Sequence, residues 1–165
     1  MKASVARDLK NTCYTRREYM GGVPSSKIRR FIMGSPGKDF EYVNEMVSLK
    51  DCQIRHQALE AARIAANRVL EPGLGVSNFH LKIKPYLHHV LREKKRINVA
   101  QADRFQEGMR KSFGSPVGQA ARVERRDQIN FIEVDEGGVN TAKEALERTA
   151  NKLPVSTKTF VSESN

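Results

Sequence analysis

The sequence has no tryptophan, only two cysteines and no long apolar run. Cys13 and Cys52 stand alone and form no CxxC pair, so neither a disulfide framework nor a zinc site is expected. No stretch approaches the roughly 18 apolar residues of a membrane span. The first eleven residues are polar and charged and carry no apolar signal-peptide core, which favours a cytoplasmic protein.

Known catalytic and metal-binding patterns are also missing. The sequence contains no HExxH, GxSxG or GxxxxGK[ST] motif. His88 and His89 are adjacent, so on a strand they would point to opposite faces, while His56 and His80 lie elsewhere in the chain. We therefore predict no metal and no cofactor.

Asp103 and Glu107 are four residues apart and could pair as carboxylates on a helix. A general acid needs a raised pKa, but Arg104, Arg110 and Lys111 lie beside this pair, and nearby cations lower a carboxyl pKa. Local ion pairing is the better interpretation. The sequence predicts no catalytic residue and no enzyme.

Positive charge is abundant and unevenly distributed. The chain of 165 residues has a net charge of +10. Residues 1–38 hold nine Lys/Arg against two Asp/Glu, and residues 82–126 hold twelve against four, while the other two segments are slightly acidic. Two basic blocks on one folded body favour binding to a polyanion over a generally solvated basic surface.

Length and composition predict one globular domain over residues 1–165. The first predicted helix covers 53–73, with Asp51 as its N-cap and Pro72-Gly73 at its end. Its expected buried face is Ile54, Ala58, Ala62, Ala65 and Val69. The second lies within 139–154, capped by Asn140 or Thr141 and stopped by Pro154, and its inward side chains are Ala142, Ala145, Leu146, Ala150 and Leu153.

Short β-rich segments surround these helices. In one of them Phe79, Leu81 and Ile83 alternate with polar and cationic side chains, which predicts a buried face and a basic face. The fold class is therefore α+β, with a mixed or antiparallel sheet and two helices packed on one side. The predicted strands are 27–34, 45–51, 79–86, 118–126, 127–134 and 155–163.

Two segments lack a regular pattern: an extended arm at 1–26 and an extended loop at about 87–117. Long irregular segments in compact domains tend to be functional. The basic residues fall in loops and strands, and both predicted helices are rich in Ala and Glu, which favours structured RNA over duplex DNA.

Four stretches resemble one known family. They are "YTRREYMGGVPSSKI" (14–28), "QIRHQALEAARIAANRVL" (53–70), "KPYLHHVLREKK" (84–95) and "ADRFQEGMRKSFGSPVGQAARV" (102–123). Together, in this order, they resemble the archaeal and eukaryotic branch (L-ten-e) of the universal large-subunit ribosomal protein L-sixteen family. Eukaryotic members usually have a longer C-terminal tail, so an archaeal source is expected.

The resemblance implies a structural protein of the cytoplasmic ribosome, bound to large-subunit rRNA between the central protuberance and the peptidyl-transferase region. It implies support of subunit assembly and of translation, contacts to neighbouring ribosomal proteins, and a loop at about 96–112 beside A-site tRNA, which is bound transiently. Neither a membrane nor DNA is an expected partner. The chain departs from the family at the loop tip, where "RINVAQADR" has no glycine.

Charge placement then selects candidate contacts. The expected tRNA-proximal loop residues are Lys94, Lys95, Arg96, Arg104, Arg110 and Lys111. The expected rRNA contacts are Arg16, Arg17, Lys27, Arg29, Arg30, Lys82, Lys84, Arg92, Arg122, Arg125 and Arg126.

Two other functions compete with this interpretation. One is an RNA-modifying or RNA-cleaving enzyme with His88, His89 or Asp103 at its centre. The other is a free RNA chaperone without a fixed partner.

Overall fold

The computed structural model describes residues 6–9, 12–94 and 112–164. The two long α-helices in this part of the chain are α1 (His56–Leu74) and α2 (Val139–Ala150). The strands there are β1 (Ile32–Gly34), β2 (Tyr42–Ser48), β3 (Cys52–Arg55), β4 (Phe79–Ile83), β5 (His89–Glu93), β6 (Ser115–Val123), β7 (Gln128–Val134) and β8 (Thr157–Glu163).

The strands form two antiparallel sheets. Five strands follow the order β1-β4-β7-β2-β8, and the other three follow β3-β6-β5. The predicted α+β class is confirmed, with the strands divided between two sheets. Short connections after β2 and after β6 join the sheets at one end of the five-stranded sheet.

The helices pack against each other and cover one face of the five-stranded sheet. Both contribute to one continuous core with Met46, Phe79, Leu81 and Ile132. Each such side chain contributes about 1.5–3 kcal/mol when it is fully buried. The opposite sheet face stays uncovered in the described structure. None of the helices described there is long and apolar enough to cross a membrane.

The first helix begins later and ends later than the sequence predicts. Gln53 and Ile54 belong to β3, because this segment pairs with β6 and that pairing overrides the helical pattern. Asp51 caps no helix; its Oδ1 accepts a hydrogen bond from the Arg125 N–H. Pro72 lies in the last turn, where its missing N–H costs little, and the helix continues to Leu74. Its buried residues are His56, Leu59, Ala62, Ala66, Val69 and Leu70.

Other element bounds also differ. The predicted strand at 27–34 is shorter, since only Ile32–Gly34 pairs with β4. The strand predicted at 45–51 spans Tyr42–Ser48, and α2 begins at Val139 without a side-chain cap from Asn140 or Thr141. The strands predicted at 127–134 and 155–163 are confirmed within two residues.

The predicted loop at 87–117 contains strand residues at both ends. His89–Glu93 forms β5, since Val90 and Leu91 are buried against β6, and β6 begins at Ser115. The strand was not predicted because Val90 and Leu91 are only two apolar residues between polar and charged ones. The middle of the predicted loop, residues 95–111, lies outside the described residues, as do 1–5 and 10–11 of the predicted arm.

Candidate nucleic-acid interface

One end of the five-stranded sheet gathers basic residues that are far apart in the sequence. There the Ile83 N–H donates to the Phe31 carbonyl (2.8 Å), and the Lys84 N–H donates to the Ile129 carbonyl (2.9 Å). The starts of β1 and β7 therefore lie beside the end of β4. The exposed basic residues at or next to these strand ends are Arg29, Arg30, Lys82 and Lys84.

The turn between β6 and β7 adds two arginines at this end. The Arg126 N–H donates to the Ser48 carbonyl (2.8 Å), and the Arg125 N–H donates to Asp51 Oδ1 (2.7 Å). These bonds fix the turn to the end of β2, and both arginine side chains are exposed. We call the combined set the cationic end: Arg29, Arg30, Lys82, Lys84, Arg125 and Arg126.

The uncovered face of the five-stranded sheet continues this basic surface with aromatic rings. Phe131 lies opposite Lys82 on the neighbouring strand, and Lys84 Nζ is 5.6 Å from the Phe131 ring centroid. Further along, Lys158 Nζ is 5.1 Å from the centroid of Phe160, whose side chain is 46% exposed. Aromatic rings beside cations, one half-buried (Phe131) and one exposed (Phe160), suit the bases and phosphates of RNA.

The N-terminal arm pairs with the edge of the three-stranded sheet. The Tyr14 N–H donates to His89 Nδ1 (3.0 Å), and the Val90 N–H donates to the Tyr14 carbonyl (3.0 Å). The rings of Tyr14 and His89 also stack, with centroids 6.0 Å apart. The arm is thus part of the folded body at this point.

A second anchor of the arm depends on Arg17. Its Nη2 donates to Gln119 Oε1 (3.2 Å), and Gln119 Nε2 donates to the Pro24 carbonyl (2.7 Å). Beside them lies an open cavity of about 310 Å³, lined also by Phe31 and Tyr86. Tyr86 is 71% exposed and stands 5.5 Å from Phe31, which makes an aromatic platform beside Arg17. We did not predict this platform, because nothing local in the sequence brings the arm to Tyr86.

Lys27 is held by its backbone, which leaves its ammonium exposed. The Lys27 N–H donates to His56 Nδ1 (2.9 Å), and the next residue, Ile28, is buried. Burial, followed by the charge of Arg55, lowers the pKa of His56, which keeps the imidazole neutral and able to accept this bond.

Arg92 has a structural contact that the sequence did not indicate. Its Cζ lies 3.9 Å from the Tyr14 ring centroid and 3.3 Å from the Phe113 ring centroid. Nη1 also donates to the Phe113 carbonyl. The guanidinium therefore joins the arm to the start of the segment that leads into β6. Two protein rings, set nearly at right angles to each other, pack against this guanidinium.

The remaining candidates are dispersed. Arg16 is exposed, pairs with Glu18 (3.2 Å) and lies 5.1 Å above the Tyr19 ring. Arg122 is half-buried on β6, where its charge lowers the pKa of His89, and Lys94 is half-buried beyond β5. Five predicted loop residues lie outside the described residues: Lys95, Arg96, Arg104, Arg110 and Lys111.

The histidines do not assemble a catalytic centre in the described structure. His88 is exposed, and its Nδ1 lies 2.8 Å from the Tyr86 carbonyl, whereas His89 is buried and accepts the Tyr14 N–H. Burial, followed by the charge of Arg122, lowers the pKa of His89 to about 4. Among the residues with described positions, no three His, Cys, Asp or Glu side chains are grouped to hold a metal ion. Asp103 lies outside them.

Comparison with known proteins identifies the family. The family model described as ribosomal protein L16p/L10e matches residues 9–160. The protein of Thermoplasma volcanium named large ribosomal subunit protein uL16 is 47% identical over 148 residues, which is 90% of this chain and 84% of the relative.

Two further relatives carry the same name. That of Methanoculleus marisnigri is 50% identical and covers 92% of this chain and 89% of its own length. The relative from Staphylothermus marinus is 51% identical, and the match covers 86% of this chain and 82% of the relative. These sources are archaeal, in agreement with the expectation from the sequence. Because this family model matches residues 9–160 and the relatives are 47–51% identical to it, the chain belongs to the ribosomal protein L16p/L10e family.

Proposed function

We propose that this protein is a structural constituent of the large ribosomal subunit in the cytoplasmic ribosome, where it binds rRNA and neighbouring ribosomal proteins. Its family membership and the printed name of its relatives support this role. It has no catalytic function of its own, and its contribution to translation is to hold and order RNA.

The observation that carries the rRNA-binding proposal is the cationic end. Arg29 and Arg30 come from the first basic block, whereas the other four members come from the second. Backbone hydrogen bonds between strand ends bring both blocks together on one surface. Exposed arginine and lysine side chains on a rigid frame can neutralise several phosphates at once.

The arm and the loop extend this interface in our proposal. Lys27 and Arg16 present exposed charges from an arm that is tied to the three-stranded sheet. The loop side chains from Lys94 to Lys111 would approach the peptidyl-transferase region and A-site tRNA, with the body beneath the central protuberance. Membership of the family supports this orientation.

The enzyme alternative lacks support from the described histidines. A general base must be able to take up a proton near neutral pH, and the low pKa of His89 makes it a poor base there. Its Nδ1 already accepts the Tyr14 N–H. Turnover of structured RNA that His88→Ala abolishes would favour the enzyme.

Sucrose-gradient sedimentation separates the ribosomal role from that of a free RNA chaperone. The tagged full-length chain would be expressed in an archaeal host, and the extract would be fractionated before and after a high-salt wash. We expect the protein to remain with large subunits after the wash. Recovery only in the soluble fractions would contradict the proposal.

A further inference from the structure

A cavity of about 360 Å³ opens beside the cationic end, between the β6–β7 turn and the edge strand β8. This volume lies within the range of about 300–1,000 Å³ that is usual for ligand pockets. Basic, acidic and apolar side chains all border it. The lining residues are Glu45, Val47, Ser48, Leu49, Arg125, Arg126 and Phe160.

We infer that this cavity receives one unstacked nucleotide of the bound RNA, with its phosphate on Arg125 and Arg126 and its base between Phe160 and Leu49. The inference rests on the proposed rRNA-binding function and assigns one specific contact within it. We call the cavity the nucleotide pocket. The occupant is RNA because the pocket combines an exposed ring, two adjacent guanidinium groups and continuity with the cationic end.

The backbone of Arg126 has an uncommon conformation, which supports this inference. Its φ is 76°, and it is the only non-glycine residue with a positive φ in the described parts of the chain. It occupies the third position of the turn Glu124–Asp127, where a positive φ usually selects glycine or asparagine. The strained backbone at this exposed arginine supports a functional role for its side chain.

The turn holds both arginines ready for an anion. Asp127 Oδ2 accepts the Glu124 N–H (2.9 Å). The N–H of Arg125 donates to Asp51 Oδ1, and the N–H of Arg126 donates to the Ser48 carbonyl. Neither guanidinium forms a hydrogen bond or ion pair with a residue that the structure describes. Their donors are therefore available to a phosphate, and little backbone ordering is needed on binding.

The apolar wall supplies a surface for a base. Phe160 and Leu49 are 46% and 42% exposed, and both side chains line the cavity. Phe160 is directly opposite Glu45 in the pairing of β2 with β8. A base stacked on the ring therefore lies within reach of the Glu45 carboxylate.

Glu45 suggests which base is bound. A carboxylate has two acceptor oxygens and no donor, and the Watson–Crick edge of guanine offers two adjacent donors, N1–H and the N2 amino group. Uracil offers one N–H between two carbonyl oxygens, which a carboxylate repels. Glu45 forms no ion pair with Arg125, Arg126 or any other described residue. We therefore assign guanine to the nucleotide pocket.

Affinity for large-subunit rRNA tests the pocket at fixed salt, with the full-length chain. Arg126→Gly should weaken binding by about fivefold or more, while its melting temperature stays equal or rises because glycine relieves the positive φ. Phe160→Leu, which keeps an apolar side chain but removes the ring, should also weaken binding. The matched control is Arg68→Gln, which removes one exposed charge from helix α1 on the covered side of the sheet.

The outcomes separate this inference from the proposed function. If the wild-type chain binds rRNA and both pocket variants bind like Arg68→Gln, the pocket assignment is wrong and the rRNA-binding role stands. If the wild-type chain itself does not bind, the proposed function fails. A fall in melting temperature for Arg126→Gly would contradict the strain argument.

Base identity is tested with mononucleotides. Titration of the free chain with 5′-GMP and with 5′-UMP would be followed through the ring resonances of Phe160. We expect GMP to shift them at lower concentration, and we expect Glu45→Gln to remove that preference. Equal shifts with both nucleotides in the wild-type chain would overturn the guanine assignment.

Discussion

The guanidinium of Arg92 packs against the ring of Phe113, with Cζ 3.3 Å from the ring centroid and Nη1 donating a hydrogen bond to the Phe113 carbonyl. Tyr14 covers the guanidinium from another direction at 3.9 Å. One side chain thus connects the N-terminal arm, β5 and the residues that precede β6. We infer that this contact determines how the arm and the loop base are placed relative to each other.

Replacement of Arg92 by leucine should therefore destabilise the fold. Two cation–π contacts at about 0.5–1 kcal/mol each and one charge-assisted hydrogen bond at about 1.5–3 kcal/mol predict a loss of about 2.5–5 kcal/mol in the free energy of unfolding. Chemical denaturation of the variant measures it. Lys82→Gln is the control, because this exposed side chain should affect RNA binding and leave stability unchanged. If Arg92→Leu leaves stability unchanged and weakens RNA binding alone, then Arg92 acts as a phosphate contact.

Acid should destabilise the protein through His89. Its folded-state pKa is about 4, below the value of about 6.5 expected in the unfolded chain. The unfolded state therefore binds more protons between these values. The stabilisation that comes from the low His89 pKa, up to about 3 kcal/mol, is fully present above pH 6.5 and is lost as the pH falls toward 4. Unfolding free energies measured across this range would show the decline.

Two histidine variants isolate this effect from the titration of carboxylates. His89→Asn keeps an acceptor for the Tyr14 N–H but cannot be protonated, so its stability should depend less on pH between 6.5 and 4. His88→Gln should keep most of the wild-type dependence, since burial is the main cause of the low His89 pKa and the charge of His88 is a smaller one. The same pH profile for all three proteins would show that other groups cause the decline.

Gly34 should tolerate no side chain. Its φ is +83°, and an added Cβ would stand 2.0 Å from the Phe79 carbonyl oxygen. Gly34→Ala should therefore cost at least about 2 kcal/mol, through backbone strain and the displacement of β1 from β4. Gly37→Ala is the matched control, since an added Cβ there meets no atom within 4 Å. Thermal denaturation compares the two, and equal melting temperatures would refute the packing of β1.

The fold class and the core of α2 could be predicted because their signals are local. Ala142, Ala145 and Leu146 recur at helical spacing, and all three are buried. The boundary between β3 and α1 could not be predicted, because Ile54 continues the helical pattern and only its pairing with β6 makes it a strand residue. Such a pairing depends on residues about 70 positions away in the chain.

The candidate site could be predicted only in part, because residues that are distant in the sequence form it. Charge composition selected Arg29, Lys84 and Arg126, but no sequence pattern shows that the strand ends bring them to one surface. The contacts of Arg92 with Tyr14 and Phe113 could not be predicted either, because these two residues come from distant segments of the sequence.

The salt dependence of binding to large-subunit rRNA tests the central claim most directly. The association constant of the full-length chain would be measured at several salt concentrations, for the wild type and for variants with Gln at members of the cationic end. We predict a steep linear fall of log affinity with log salt. The slope should become shallower by about 0.7–0.9 for each phosphate-contacting residue that is replaced. A flat wild-type response, or an unchanged slope after all six replacements, would contradict the account.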